Sequence, residues 1–334
     1  MASVESQRNG SAQHNMHAVE KAFRDDQGIA MRIYAGVSFA VEVIVFVVRV
    51  YASWFYGMYR FFVPPEPKSV RGEIILITGS GHGMGREMAL QFAALGGIVV
   101  CVDINASTNK DTVELIKENK GKAYGYQCDV TDRSAISELG DRIRKEVGEV
   151  DILVNNAGIM PCKPFLEQDE REIRATFEIN VMSHLWLLQM FLPSMMKRNH
   201  GHIVALSSMA GLVGLRNLVP YCGTKSAVKG IMEALHEELR EDKVTDYSGI
   251  KFTTVYPYIV DTGLCKNPKI KFPSFMKIVS PRDAAESIID AVRREYTDAS
   301  IPRFLFYTNN HCRIYPREVA THIKDFLDSG LEAH

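Results

Sequence analysis

The chain has 334 residues, 46% of them hydrophobic, enough for one large α/β core or two small domains. A formal net charge of −1 leaves no basic footprint, so no nucleic-acid partner is expected. Six cysteines (Cys101, Cys128, Cys162, Cys222, Cys265, Cys312) form neither a C-x-x-C pair nor a Cys/His ligand spacing. A disulfide framework and a metal site are therefore not expected, and the soluble part is read as facing a reducing compartment.

Residues 1–28 are polar, with few large apolar side chains, and read as a mobile tail. A hydrophobic segment follows over 29–65. From Ile33 to Phe62 it is rich in Val, Phe, Tyr and Ile and is interrupted only by Glu42, Arg49 and Arg60. About 20 apolar residues span a bilayer as a helix, so this length suffices for a membrane anchor. Glu42 and Arg49 are seven apart and share a helix face, while Trp54, Phe55, Tyr56 and Tyr59 resemble an interfacial belt. Lys and Arg residues flank the segment on both sides, which gives no orientation. "VPPEPK" ends it, since consecutive prolines cannot continue a helix.

From Glu73 the texture changes to short β-branched runs alternating with helical patterns: "EIILIT", "IVVCVD", "AYGYQCDV", "DILVNNAG", "HIVALSS", "KFTTVYP" and "RFLFYT". Strands apolar on successive residues and spaced by helices predict a doubly wound parallel sheet of about seven strands, with helices on both faces. One doubly wound domain is expected over 70–310, followed by a helical tail over 311–334. The first strand runs into "TGSGHGMGR" and then a helix. Glycines there permit a tight turn and let backbone approach a phosphate at the helix N-terminus. The second strand ends at Asp103, where a carboxylate can accept from the ribose hydroxyls and would repel a 2′-phosphate, favouring NAD over NADP.

At these residues the chain resembles the classical short-chain dehydrogenase/reductase family. "TGSGHGMG" fits the family's T-G-x-x-x-G-x-G, "NNAG" its signature after the fourth strand, and Ser208, Tyr221 and Lys225 its S-x12-Y-x-x-x-K. Asn180 in "FEINVMSHL" fits the fourth catalytic position, and Asp129 with Val130 the adenine contact. The resemblance implies a Rossmann-type fold and a catalytic set of Asn180, Ser208, Tyr221 and Lys225. It implies cofactor contacts from Gly79, Ser80, Gly83, Met84, Gly85, Asp103, Asp129, Val130, Asn156, Ala157, Gly158, Tyr221, Lys225, Pro257 and Thr262. Ser208 and Tyr221 would also contact substrate.

The chemistry of these residue types agrees. An alcohol gives up hydride only as its hydroxyl proton leaves, so a base is needed. Tyrosine ionises near pH ~10 in water, and a neighbouring ammonium stabilises tyrosinate. Tyr221 and Lys225 are four apart and share a helix face. Ser207 points to the opposite side of its strand from Ser208 and is assigned a structural role; Cys222 is read as a packed helix thiol.

One departure is the pair Pro257-Tyr258, where the family has Pro-Gly; glycine tolerates a positive φ and tyrosine does not readily. Within the family, the hydrophobic anchor, "VDIN" and "YCGTK" resemble the membrane-associated retinol and 17-beta-hydroxysteroid dehydrogenases. That resemblance implies a lipophilic alcohol (retinoid, steroid, isoprenoid or fatty alcohol) oxidised with NAD, at the endoplasmic reticulum or lipid-droplet surface, with the catalytic domain facing the cytosol. A homodimer stays open. Asp261 to Ser280 would form a substrate lid lined by Leu264, Phe272, Phe275 and Met276. Two alternatives stand beside this reading: an NAD-binding scaffold with little turnover, which the intact Ser208, Tyr221 and Lys225 disfavour, and an NADPH-dependent carbonyl reductase, which Asp103 disfavours.

Overall fold

The structure, a computed structural model, describes residues 2–264, 268–272, 277–327 and 330–331. The chain divides into two compact units, Met1–Pro65 and Glu66–His334. The first is one helix, α1 (Ala2–Phe62). Residues 2–28, expected as a polar tail, continue this helix without a break. Its stretch Met31–Phe62 has a mean hydropathy of 2.1 in its most apolar window and none of that window is buried. At 1.5 Å per residue, 32 residues extend about 48 Å, longer than the roughly 30 Å hydrocarbon core of a bilayer.

The second unit is built on β1 (Ile74–Thr78), α2 (Gly83–Ala94), β2 (Ile98–Asp103), α3 (Ala106–Glu118), β3 (Lys122–Gln127), α4 (Arg133–Glu146) and β4 (Ile152–Asn155). There follow α5 (Glu170–Phe177), a π-turn over Glu178–Met182, α6 (Ser183–Arg198), β5 (Gly201–Leu206), α7 (Val219–Arg240) and β6 (Ile250–Pro257). The chain ends with β7 (Pro268–Lys269), α8 (Pro281–Arg293), β8 (Asp298–Ile301), α9 (Phe304–Cys312), α10 (Arg317–Leu327) and β9 (Gly330–Leu331). The run "RFLFYT", expected as a strand, instead opens α9. The last strand of the main sheet, β8, lies just before it and pairs with β6, so the chain has already left the sheet at Phe304 and the helical tail begins earlier than residue 311.

Seven strands form one sheet in the order β3-β2-β1-β4-β5-β6-β8, all neighbours parallel. Alternation along the strands divides the core. Ile75, Ile77, Val99 and Cys101 face Met88, Phe92, Ile288 and Val292 of α2 and α8. Leu76, Val100 and Leu153 face Ile136, Leu187, Phe191, Val228 and Met232 of α4, α6 and α7. Both faces are covered, which is why the strands read as continuous apolar runs.

Local signals set the helix starts. Asn105 and Asp132 accept from the free N–H groups opening α3 and α4, Asp169 and Glu172 form a reciprocal cap on α5, and Ser280 caps α8 ahead of Pro281. After β3 the chain crosses to the far side of β1 to form β4. The order therefore reverses between β1 and β4, and ligands of open α/β sheets bind outside the carboxyl ends of the strands at such a switch point.

Candidate active site

Two turns meet at this switch point. Gly79 and Gly83 adopt positive φ, +67° and +56°, conformations that side chains resist. A Cβ on Gly85 would collide with the Gly79 carbonyl oxygen, and one on Gly81 would lie 3.0 Å from Asp103 Oδ2. The Gly83 position is closed from the other side by Thr262, whose Cβ and Cγ2 would lie 3.1 Å from an added Cβ. The loop after β6 therefore sits against the glycine turn. Ser80 is buried and donates to Val102 O and to Asn109 Oδ1 at 2.8 Å. Met84, on the first turn of α2, packs against the core on the α8 side.

Asp103 closes the turn from below. Its Oδ2 accepts from Gly81 N and its Oδ1 from Asn105 N, each at 2.8 Å. A carboxylate has about four acceptor sites, so both oxygens retain lone pairs for ribose hydroxyls. Asp129 accepts from the backbone and hydroxyl of Thr131 and holds the loop after β3, where Val130 is buried.

The "NNAG" loop is bound to the glycine turn rather than merely near it. Asn156 Nδ2 donates to Thr78 O at 2.8 Å and to Gly79 O at 3.3 Å, while the N–H groups of Asn156 and Ala157 both reach Thr78 Oγ1. Gly158 gives close approach: a Cβ there would lie 3.1 Å from Asn180 Oδ1 and 3.6 Å from Lys225 Nζ.

Asn180 lies in the π-turn, a device often found at functional sites. Its Oδ1 accepts from Ile159 N at 2.8 Å, and its Nδ2 donates to Ile159 O and Thr224 Oγ1. The side chain thus joins the "NNAG" loop to α7. On α7, Lys225 Nζ lies 5.6 Å from the centroid of the Tyr221 ring and donates to Leu206 O at 2.7 Å. Tyr221 and Lys225 are 8% and 4% exposed. Burial draws the Lys225 pKa down to about 8, since desolvation disfavours the ammonium. Ser208, after β5, accepts from Ala210 N at 3.1 Å and donates a long bond of 3.3 Å to Pro257 O. Ser207 Oγ donates to Lys225 O at 2.8 Å and so fastens β5 to α7.

Tyr258 removes the difficulty posed by the missing glycine. It is not among the positive-φ residues; its N–H bonds Ile301 O at 2.9 Å, and the positive φ of this loop falls at Gly263. With Met209, Leu212 and Leu305, Tyr258 forms an apolar cluster beside Ser208. A second cluster of Cys162, Ala210 and Leu218 packs around Tyr221. Cys222 is held as a protonated thiol, its pKa raised by burial, and its Sγ accepts from Leu215 N. Of the expected lid residues, Leu264 is exposed and Phe272 packs in a tilted pair with Phe326 of α10, ring centroids 5.2 Å apart. Phe275 and Met276 lie outside the described residues.

Three residues of the site framework escaped the sequence reading. Thr78 clamps the "NNAG" loop. Asn109, buried on α3, holds Ser80 and donates to Cys101 O and Tyr126 O. Thr224 receives Asn180. Asn109 carried no motif at all; its role needs the third dimension. A depression of about 710 Å³ at the amino ends of β6 and β8, lined by His236, Arg240, Lys243 and Glu295, contains none of the site residues.

The short-chain dehydrogenase family profile matches residues 73–270. The chain belongs to this family. Among curated relatives, epidermal retinol dehydrogenase 2 of Mus musculus is 39% identical over 261 residues, covering 78% of this chain and 84% of that protein. The human 17-beta-hydroxysteroid dehydrogenase 13 is 35% identical over 265 residues, covering 79% and 86%. The solved 7 alpha-hydroxysteroid dehydrogenase complexed with NADH and 7-oxo glycochenodeoxycholic acid superposes with a TM-score of 0.62. It is 29% identical and spans 69% of this chain and 93% of its own. This short-chain dehydrogenase is thus an oxidoreductase of a dinucleotide-binding fold, grouped with retinol and hydroxysteroid dehydrogenases.

Proposed function

We propose that this short-chain dehydrogenase oxidises a lipophilic alcohol of the retinoid, steroid, isoprenoid or fatty class with NAD, at a membrane. One observation carries the reading: an almost fully buried ammonium, Lys225, stands beside the Tyr221 ring at the carboxyl edge of the sheet. A buried cation favours the phenolate over the phenol and so makes tyrosine a base.

The glycine cradle fits a dinucleotide: Gly81 packs against Thr108 Oγ1 and Asp103, and Gly85 against the Gly79 carbonyl, so tightly that only glycine permits the turn, and a turn of this kind offers backbone N–H groups to a pyrophosphate at the α2 N-terminus. Gly79, Gly83, Met84 and Gly85 would hold the pyrophosphate, with Ser80, fully buried and bonded to Val102, Asn109 and Thr112, supporting the turn from beneath; Asp103 would hold the ribose hydroxyls, and Asp129 with Val130 the adenine. Asn156, Ala157, Gly158, Pro257 and Thr262 would border the nicotinamide, and Lys225 its ribose. When bound, the nicotinamide supplies the hydride acceptor.

The chain's own residues manage the proton. Ser208 Oγ exchanges its long bond to Pro257 O for the substrate oxygen and orients it. Tyr221 takes the hydroxyl proton, and Lys225 lowers the cost of the resulting phenolate. Asn180, fixed by Ile159 and Thr224, holds the path by which that proton reaches solvent. The apolar walls at Met209, Leu212 and Tyr258 suit a lipophilic substrate, and Leu264 and Phe272 of the expected lid would extend them.

The exposed apolar stretch of α1 supports membrane association. We therefore assign the enzyme to the endoplasmic reticulum or lipid-droplet surface, with its catalytic unit toward the cytosol. The test is turnover of purified full-length protein in detergent with NAD against retinoid, steroid, isoprenoid and fatty alcohols. NAD binding without turnover on any of them defeats the enzymatic reading in favour of a scaffold.

A further inference from the structure

Exposed apolar side chains of the catalytic unit gather beside the substrate loop. On α10, Val319, Ile323 and Phe326 recur at helical spacing, yet they are 36%, 39% and 64% exposed. An amphipathic helix of a globular fold ordinarily turns such a stripe to the core. On and after α9, Tyr307, Ile314 and Tyr315 are exposed as well, Ile314 by 78%.

Specific ties make these one surface. Arg313 Nη2 donates to Leu212 O at 2.8 Å, Lys324 Nζ to Gly214 O at 2.7 Å, and Lys271 Nζ to Phe326 O at 3.1 Å. β9 pairs antiparallel with β7 of the substrate loop. Leu212 and Gly214 follow Ser208 by four and six residues, so the patch borders the substrate side of the proposed site.

Its charge is one-sided. The described parts of α9, α10 and the substrate loop, with the residues flanking the helices, carry Lys269, Lys271, Lys277, Arg303, Arg313, Arg317 and Lys324 against Asp261, Glu318 and Asp325, in a chain of net charge −1. Protein–protein interface cores are depleted in lysine. Aromatic and aliphatic residues rimmed by Lys and Arg instead match a surface that lies in a lipid interface and attracts anionic headgroups.

We infer that this apron of α9, α10, β7 and the described residues that flank β7 seats on the anionic headgroup surface of the membrane. Seated there, it brings the mouth of the site to the lipid, and a lipophilic alcohol crosses into it without passing through water. This rests on the membrane reading of α1, but adds a second contact that the anchor does not require.

The test uses the full chain in phosphatidylcholine vesicles, with and without phosphatidylserine, carrying a photoactivatable phospholipid; adducts are mapped by mass spectrometry. Adducts are expected in peptides covering 304–326 in addition to α1, and more of them on the anionic vesicles. Ile314→Ser with Ile323→Ser should remove the 304–326 adducts and spare those on α1. Lys277→Gln should reduce them by about fivefold on anionic vesicles, the expectation for the loss of one basic residue at such a surface. NAD binding, unchanged in these exposed-site variants, confirms that they fold. Labelling confined to α1, equal labelling on neutral and anionic vesicles, or protection of the same peptides by a lipid-free second copy or another protein overturns the inference. Absence of adducts on α1 itself overturns the membrane reading and this one together.

Discussion

Lys225 Nζ stands 5.6 Å from the Tyr221 ring centroid and is anchored there by the Leu206 carbonyl. The bond to Leu206 fixes the ammonium at the end of β5, one residue before Ser207 and two before Ser208. One short strand end therefore positions both the cation and the hydroxyl of the proposed site. Lys225 also has its backbone carbonyl held by Ser207 Oγ, so α7 cannot slide along β5 without breaking both contacts.

Tyr221→Phe removes only the phenolic oxygen and leaves α7 intact. Turnover should fall by roughly 10² to 10⁴, the range for a positioned acid/base, while NAD binding measured by fluorescence or calorimetry persists. Lys225→Met should lower turnover and weaken NAD binding together, because the ammonium is assigned two contacts. In wild type, kcat/KM for oxidation should rise with pH through an apparent value below that of free tyrosine, belonging to the Tyr221–Lys225 pair rather than to either group. A Tyr221→Phe enzyme with wild-type turnover removes the mechanism.

Asp103 serves two purposes, and its variants separate them. The carboxylate accepts from Gly81 N and Asn105 N, and is placed for ribose hydroxyls. Wild type should use NAD much better than NADP, because a 2′-phosphate would face that charge. Asp103→Asn removes the repulsion but keeps only one of the two acceptors, setting its amide NH2 against the N–H of Gly81 or Asn105; it should narrow the NAD to NADP ratio of kcat/KM and lower the thermal midpoint modestly. Equal kcat/KM for both cofactors in wild type would contradict the assignment.

Much of this architecture was legible in the sequence, for physical reasons. Runs such as "IILIT" and "IVVCVD" are apolar at every position because both faces of a parallel sheet are covered, and that pattern has few other solutions. The glycine turn was legible because Gly85 leaves no room for a Cβ. What escaped notice were residues whose work depends on distant partners. Asn109 looks like any polar helix residue until β2 and β3 bring two carbonyls to its amide. Tyr258 seemed to strain a loop whose positive φ was in fact carried five residues later by Gly263. The break expected near residue 28 is absent because nothing in residues 2–28 stops a helix: among them are no proline and only Gly10 and Gly28.

Gly85→Ala tests the cradle. The new Cβ would press on the Gly79 carbonyl and lie 2.6 Å from Asn156 Nδ2, the amide that joins the two turns. Overpacking of this kind costs roughly 1–3 kcal/mol. NAD affinity should drop, with a lower thermal midpoint and an unchanged far-ultraviolet spectrum. Unaltered NAD affinity would mean that the cofactor does not lie in this turn.

Removal of residues 1–65 tests the anchor. The remaining unit, Glu66–His334, contains all seven strands of the main sheet and both halves of its core. It should fold, bind NAD and leave the membrane fraction under high salt, which strips residual electrostatic attachment. If a fluorescent fusion of residues 1–70 stays soluble in cells, α1 is not a membrane element.

Stability should depend on pH through two buried imidazoles. His184, at the start of α6, and His202, on β5, are each held down to a pKa of about 3, first by burial. The Lys225 charge adds to this at His184, and the charges of Lys68 and Lys251 at His202. In the unfolded chain both return to the ordinary value near 6.5. Between pH 6.5 and about 3 the unfolded state therefore binds more protons, and stability falls as pH falls. Above pH 6.5 both states are neutral at these positions and this contribution is fully present. At pH 5 each imidazole should cost on the order of 1–2 kcal/mol relative to pH 7.5. Urea unfolding of the protein in detergent at the two pH values measures the sum, and His202→Gln, which keeps a partner for Thr253 Oγ1, should remove about half of it. A denaturation midpoint that does not move between pH 7.5 and 5 would show that neither imidazole is held neutral in the fold.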